Sequence, residues 1–370
     1  MGKYVIRRLV QAIPVVIGIS IVTYAIMLMA PGGPEQKFAS NPRMTNEQKL
    51  KFIKSWGLDQ PIPIQYGRWI GLLNPDKEGL AALLGPNGWP NFLPSAISGA
   101  DNGVLHGDLG YSIDSGSNVG QRIAQAALPT VILAGFALIL WIGIAVLLGV
   151  LSAVRRYSFF DQAATVFAYV GFAMPTFWLG LMLIFLLGQK HIGGETSGFF
   201  PISGMIDTRS SPPFGSEKYW IYFGANPLKA ISDIAWHLVL PVITLVVVNI
   251  AGDSRFVRAS MLEALSQDYV RTAKAKGLSG RTVVFKHALR NALLPVVTNI
   301  GLEIPFLFAG AIVTETIFSW PGIGKLTIDS INNFDYTILM GVLMITATLV
   351  VMANLLADIL YAFVDPRIKY

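Results

Sequence analysis

The sequence predicts an all-α polytopic membrane protein with six transmembrane helices, and three observations carry that reading. Hydrophobic residues make up 53% of the chain and charged ones 14%, with a mean hydropathy of +0.55, where soluble domains carry about 25% charge. The apolar residues are also gathered into runs: no Asp, Glu, Lys or Arg occurs from Leu9 to Pro34, Ile123 to Val154, Gln162 to Gln189, Ile234 to Gly252 or Tyr336 to Ala357. A sixth stretch, Asn291 to Thr314, is interrupted only by Glu303. A helix needs about 20 apolar residues to cross roughly 30 Å of hydrocarbon, and every run is long enough. The competing reading, six buried helices of that length in a 370-residue soluble protein, is the poorer one.

The first run has Lys3, Arg7 and Arg8 on its N-terminal flank and ends Met-Ala-Pro-Gly-Gly-Pro. It is too long for a signal-peptide core and has no small-residue cleavage site, so it reads as a retained anchor. An even number of spans puts both termini on one side. Lys and Arg are densest in residues 1–8, 155–161, 253–290 and 358–370, which places these segments in the cytoplasm. Residues 35–122, 190–233 and 315–335 then lie outside.

The expected organisation is a cytoplasmic N-terminus with the first span (1–30), an outside domain (31–122), and a five-helix core (123–370) carrying a cytoplasmic loop at 253–290. In the outside domain, Thr45-Asn46-Glu47-Gln48 has the form of a capping box ahead of Leu50, Ile53 and Trp56, and Gly57 stands as its stop. Pro61 and Pro63 precede a short amphipathic piece at 64–73, and residues 75–106 read as an irregular insertion rich in Gly, Pro, Asn and Ser. Pro14, Pro175, Pro241, Pro295 and Pro305 punctuate the spans and are read as packing kinks, a minority of them as hinges.

Several functions are excluded. With no cysteine there is no disulfide and no thiol or Cys-metal chemistry. His106, His191, His237 and His287 show no ligand spacing, so no metal site is expected. The nearest string to a phosphate-binding loop, SWPGIGKL (319–326), has Ser319 in place of the first Gly and Leu326 in place of Ser or Thr. No Ser/His/Asp set is evident, so the chain reads as a non-enzyme. Glu303 is the one ionisable residue deep in a span. Such residues face a cavity or a partner, and it is a candidate both for the translocation path and for a structural salt bridge or hydrogen bond. Glu315 and Asp358 stand at span ends, where solvent or interface positions are expected.

Residues 269–295 read YVRTAKAKGLSGRTVVFKHALRNALLP, with no acidic residue. Val257, Met261, Leu265 and Tyr269 recur every four residues, joined by Leu262 and Ala273, and form one apolar face. Lys274 and Lys276 suit a helix C-terminus, and Gly277 suits the left-handed stop that follows it. Ser279 can open a second helix, on which Val283, Val284 and His287 or Ala288 share a face. The spans tether this unit at both ends and so block a DNA groove. Two readings stay open on pattern alone: a basic loop on anionic lipid, and a docking surface for a cytoplasmic protein.

This segment resembles the coupling loop of binding-protein-dependent ABC importers, in the form typical of the dipeptide/oligopeptide permease family. The resemblance covers the whole chain. It includes VIRRLVQAIPVVIGIS (5–20) with MAPGGP (29–34), WGLDQPIPIQYGRWIG (56–71), GDLGYSI (107–113), MPTFWLGLML (174–183), ETIFSWPGIGKL (315–326) and NLLADILYAFVDPRIK (354–369). The order of these strings resembles the first, B-type permease subunit. In the general importer motif, Glu-Ala-Ala is followed by three residues, Gly, nine residues and Ile-x-Leu-Pro; here the triplet is Arg271-Thr272-Ala273, Gly277 holds the Gly, and Leu289-Arg290 fills the Leu-Pro slot.

The resemblance implies a type I ABC importer permease fold in the bacterial inner membrane, with a periplasmic domain between helices 1 and 2. It implies four kinds of partner: a second permease in a heterodimer, two ABC ATPase subunits, a periplasmic substrate-binding protein and membrane lipid. Nucleic acid is not among them. ATP and Mg would be bound by the ATPases, with no cofactor in this chain. The expected ATPase-coupling residues are Arg271, Ala273, Lys274, Ala275, Gly277 and Leu278, and Glu303 is the candidate in the translocation path. The implied cargo is di- or oligopeptide. Nickel chelates, oligosaccharides or peptide antibiotics are the alternatives within the family, and an ion-gradient-driven secondary transporter is the rival outside it.

Overall fold

The computed structural model describes residues 2–29, 59–73, 103–188, 190–192, 195–309 and 311–364. The capping box at 45–48, most of the 75–106 insertion, and the side chain of Asp358 lie outside the described residues. The described chain is helical apart from a two-stranded antiparallel hairpin, β1 (Lys190–Ile192) and β2 (Glu195–Ser197). It divides into two compact units. One comprises Ile6–Gln125 with Leu326–Leu349; the other comprises Ala126–Lys325 with Met1–Val5 and Val350–Tyr370.

Helix α1 (Gly2–Met29) carries the first apolar run. Helix α2 (Ile62–Ile70) begins at Pro61, where a fixed φ and a missing N–H cost nothing. It ends at Gly71, whose φ of 91° needs glycine. Its aromatic face lies on α1: the Tyr24 hydroxyl donates to Gln65 Oε1 at 3.0 Å, and the Tyr24 and Tyr66 rings meet edge-on at 5.6 Å. Within the same unit the GDLGYSI string finds its purpose. Ser112 donates to the buried carboxylate of Asp335, which also accepts from the backbone of Ile338 in the first turn of the last helix, at 3.3 Å. That helix, which follows Asp335, is Tyr336–Val364.

Further along the chain, α3 (Val119–Val154) is followed by α4 (Phe159–Ala173) and α5 (Thr176–Leu187). These two were expected as one third span. They are bent by 103° at Met174-Pro175 instead, because Pro175 removes a helical donor and holds the preceding residue extended. Helix α6 (Glu217–Ala225) is capped by Ser216, and α7 (Pro227–Ser266) runs for 40 residues. Then come α8 (Asp268–Ala275), α9 (Gly280–Thr282), a π turn (Val283–Ala288) and α10 (Leu289–Ala309). After them stand α11 (Ile312–Ile317), α12 (Ile323–Asn332) and α13 (Tyr336–Val364).

Among the described residues, four helices are long and apolar enough to cross a membrane alone: Ile6–Met29, Val119–Val154, Pro227–Ser266 and Tyr336–Leu355. The bent pair α4–α5 makes a fifth if it counts as one span. The sixth apolar stretch is covered by α10. Large apolar side chains stand bare on these helices, such as Ile139 at 71% and Phe185 at 64% exposure. A water-soluble surface would not carry them in such number, whereas hydrocarbon solvates them at no cost.

Two cores hold the larger unit together. One packs Leu133, Ala137 and Trp141 of α3 against Leu238, Val242, Val246 and Ile250 of α7, with Met205, Tyr219 and Trp320 over them. The other gathers Val150 and Ala153 of α3, Val257, Met261 and Ala264 of α7, Val270 and Ala273 of α8, and Val283, Ala288, Ala292 and Val296 beyond. Glu315, expected at a solvent or interface position, is wholly buried. It accepts a hydrogen bond from the Thr130 hydroxyl at 2.8 Å and from the Lys325 backbone at 3.1 Å.

Candidate functional site

The basic segment forms a tip seated on the second core. Helix α7 does not stop where the charge-free run ends at Gly252; it continues to Ser266, so Val257 and Met261 belong to the span helix itself. The chain breaks at Gln267, which is extended (φ −72°, ψ 151°), before α8 begins. That break rotates the expected apolar face. Tyr269 turns outward to 37% exposure, while Val270 and Ala273 turn inward. Helix α8 then ends as the sequence anticipates. Gly277 is left-handed at φ 72°, its N–H bonds to the Lys274 carbonyl at 3.0 Å, and the Leu278 N–H bonds to that of Ala273 at 3.3 Å. This pair of bonds is the Schellman stop. Ser279 opens the next helix by accepting from the Thr282 N–H at 3.3 Å.

The six residues anticipated for coupling divide by placement. Arg271, Lys274, Ala275, Gly277 and Leu278 are exposed, whereas Ala273 is buried in the chain's own core. Arg271 is 77% exposed and meets the still more exposed Asp268 at 3.4 Å, an ion pair worth little in water. A Cβ on Gly277 would meet nothing within 4 Å. Its glycine therefore serves the backbone angle and not internal packing. The tip thus offers basic and small residues outward and roots itself by Val270, Ala273 and Val283.

With that geometry in hand, the chain can be set beside known proteins. Residues 145–370 match the family described as "Binding-protein-dependent transport system inner membrane component", and residues 1–83 match its N-terminal membrane component. The chain belongs to this family. The oligopeptide transport system permease protein AppB of Bacillus subtilis is 38% identical over 371 residues, covering all of both chains. The dipeptide transport system permease protein DppB of Escherichia coli is 37% identical over 375 residues, covering 100% of this chain and 99% of the relative. The di/tripeptide permease DppB of Pseudomonas aeruginosa is 34% identical over 380 residues with the same coverage. The family's members are transport permease components, and this chain is one.

Glu303 lies on α10 in a polar cluster that spans three helices. The Asn299 amide donates to Glu303 Oε1 at 3.3 Å and to Asp253 Oδ1 of α7 at 3.2 Å. The Trp141 indole of α3 donates to the other Asp253 oxygen at 3.0 Å. Glu303 Oε2 is buried and has no hydrogen-bond partner among the described residues. Beside Asp253 and Asn299 is a cavity of about 10 Å³ lined by Ile142, Ala145, Val146 and Val296, room for about one water. Sequence reasoning found Glu303 and missed Asp253, which was counted as the first residue beyond the span. The available signal was Trp141 and Asn299, polar groups inside apolar runs that need partners in a dry interior.

Proposed function

We propose that this chain is one of two unlike permease subunits of an ABC importer, forming half of a pathway for di- or oligopeptides across the bacterial inner membrane. The peptide class rests on the names of the relatives. In this reading all six apolar stretches cross the membrane, both termini are cytoplasmic, and residues 31–122 form a periplasmic domain. Residues 123–370 are the permease core.

The observation that carries the reading is the α8–turn–α9 tip. It is basic and exposed outward, stopped by a Schellman turn, and rooted in a core shared with α3, α7 and the helix that continues into α10. A rooted tip transmits displacement into the helices beneath it, whereas a loop lying on lipid needs no root. Arg271, Lys274, Ala275 and Leu278 are the contact surface for an ATPase. Gly277 shapes the turn, and Ala273 seats it. ATP and Mg are bound by the two ATPase subunits, cargo is delivered by a periplasmic binding protein, and coupling follows from contacts that differ between the two access states. Glu303 faces the pathway and meets the peptide's α-ammonium, the chemistry its unpaired buried oxygen suits.

Purification of the tagged chain from its native membrane tests this. Two ATPase subunits and a second permease should copurify, and proteoliposomes should take up dipeptide only with internal or external ATP on the ATPase side and binding protein on the other. Uptake driven by an ion gradient without ATP would replace this reading with that of a secondary transporter.

A further inference from the structure

The exposed tip is continuous with α7, and what α7 carries with it decides what the tip can move. Helices α4 and α7 are packed along their length, with the Arg255 guanidinium of α7 over the Tyr169 and Phe172 rings of α4 at 4.9 and 5.4 Å, and two further contacts stand ten residues apart on α4. At one, the Arg258 guanidinium grips Asp161 with both arms, Nε to Oδ1 at 2.8 Å and Nη2 to Oδ2 at 2.9 Å. Asp161 is 3% exposed, and its second oxygen also accepts from the backbone N–H of Tyr157 at 2.9 Å. Tyr157 holds a left-handed φ of 63°, a conformation that costs a bulky residue free energy and that this bond helps to hold. At the other contact, a Cβ on Gly171 would lie 2.8 Å from the Val247 carbonyl, so the two backbones touch. A third contact fixes α3: a Cβ on Gly149 would lie 2.7 Å from the Ser254 carbonyl.

Close backbone packing resists sliding little, because glycine offers no interlocking side chain. A two-armed ion pair on a buried carboxylate does resist it, since both bonds demand one mutual placement of the helices. The lower end of α4 therefore travels with Arg258, which stands on α7 nine residues before the break at Gln267 that leads into α8. At its far end α4 meets the 103° bend into α5.

We propose that Asp161 and Arg258 are positioning residues for coupling. Their pair makes α4 follow the tip, so that displacement at α8 arrives at the Met174-Pro175 bend. This rests on the reading that an ATPase docks at the tip. The pair touches neither ATPase nor peptide. Its loss loosens the Asp161 end of α4 from α7, and hydrolysis then proceeds with less transport.

The test uses the whole complex in proteoliposomes with its binding protein, and reads peptide taken up per ATP hydrolysed. Asp161→Asn and Arg258→Lys, which keep size and, in the second case, charge, should each lower that ratio about five- to tenfold, the lower range of ordinary coupling effects. The exchanged pair Asp161→Arg with Arg258→Asp should recover part of it. Because the chain has no cysteine, Asp161→Cys with Arg258→Cys offers a second readout. A bifunctional thiol reagent bridging the two should raise the ratio, and removing the bridge should lower it again. An unchanged ratio in Asp161→Asn overturns the proposal, and so does a parallel fall of uptake and hydrolysis with lost ATPase content, which marks a purely structural pair. Failure of the underlying reading is seen separately, as wild-type chain that purifies without ATPase.

Discussion

Glu315 fills the space that a side chain on Gly322 would need. A Cβ built there would overlap the buried carboxylate. Gly324 is equally closed, its Cβ falling 2.9 Å from Glu315 Oε2 and 2.6 Å from the Ile312 backbone. The string ETIFSWPGIGKL is therefore one device: an acid at its start, folded under a loop whose two glycines leave room for it. Trp320 covers the site with its indole N–H on the Pro129 carbonyl at 2.8 Å. Ile323 closes it by donating its backbone N–H to Thr130 at 2.8 Å.

Gly322→Ala should accordingly lower stability by about 1–3 kcal/mol, the usual cost of overpacking. The atoms in the way are the carboxyl end of the Glu315 side chain, and that end is held by the Thr130 hydroxyl and the Lys325 backbone, so moving it aside gives up those bonds. The midpoint of unfolding in detergent, by denaturant or heat, is the measurement. A variant as stable as wild type would show that the carboxylate yields easily and that the loop is not built around it.

Glu315 also makes stability depend on pH. Burial raises its carboxyl above the ordinary 4.5, against bonds from Thr130 and from the backbone of Lys325 and Gly324 that pull it down. A carboxyl held higher in the folded state than in the unfolded one contributes stability below its unfolded value, and loses that contribution as pH rises through the folded value. The melting temperature of wild type minus that of Glu315→Gln, taken with its sign, should therefore fall as pH rises from about 4.5. A signed difference that stays level or rises over that range contradicts the assignment.

At the tip, Gly277→Val should leave the protein inserted and assembled but cut ATP-driven uptake. A β-branched residue at φ 72° costs about 1–2 kcal/mol, and relief of that strain undoes the Schellman stop that aims the tip. Gly277→Asn, which tolerates the left-handed region, should keep most of the uptake. Equal activity in the two variants, measured in the reconstituted complex, removes the turn from the mechanism.

How much of this was legible depended on whether a signal was local. The runs that become long apolar helices, the stop at Gly277 and the cap at Ser279 rest on single residues and their neighbours, and the sequence declares them. The end of α7 was not legible. A charge at Asp253 closes an apolar run but does not close a helix, and only Gln267, a residue with no helix-breaking character, marks the true end. The same blind spot hid the partnership of Asp253 with Glu303 and the clamp from Arg258 to Asp161, because pairs between distant helices leave no pattern along the chain. Glu315 was misplaced for a related reason: proximity to a span end says nothing of what folds over it.

Glu303→Gln separates the pathway role from a structural one. If Glu303 meets the peptide α-ammonium, loss of its charge removes one charge-assisted bond, worth roughly 1.5–3 kcal/mol. The concentration giving half-maximal uptake of a free dipeptide should then rise about tenfold or more. An N-acetylated peptide, which has no ammonium, should be indifferent to the change. Equal effects on both peptides, or none on either, assign Glu303 to holding α7 and α10 together through Asn299.

The π turn yields a prediction that runs opposite to most deletions. Ala288, Ala292 and Val296 are all buried and follow one another at intervals of four, as an α-helix requires. Val283 is buried too but precedes Ala288 by five. An uninterrupted α-helix would carry Val283 off that face, and the wider π turn at Val283–Ala288 absorbs the extra residue and brings it back. Phe285 is the outward residue of that turn, 52% exposed. Deleting it turns the five-residue interval into four and merges both segments into one α-helical row without changing their mutual rotation. The deletion should therefore leave the melting temperature near wild type, whereas deleting Ala292, which breaks the same row, should abolish folding. If removing Phe285 is as damaging as removing Ala292, the π turn is not a one-residue insertion in a single helix.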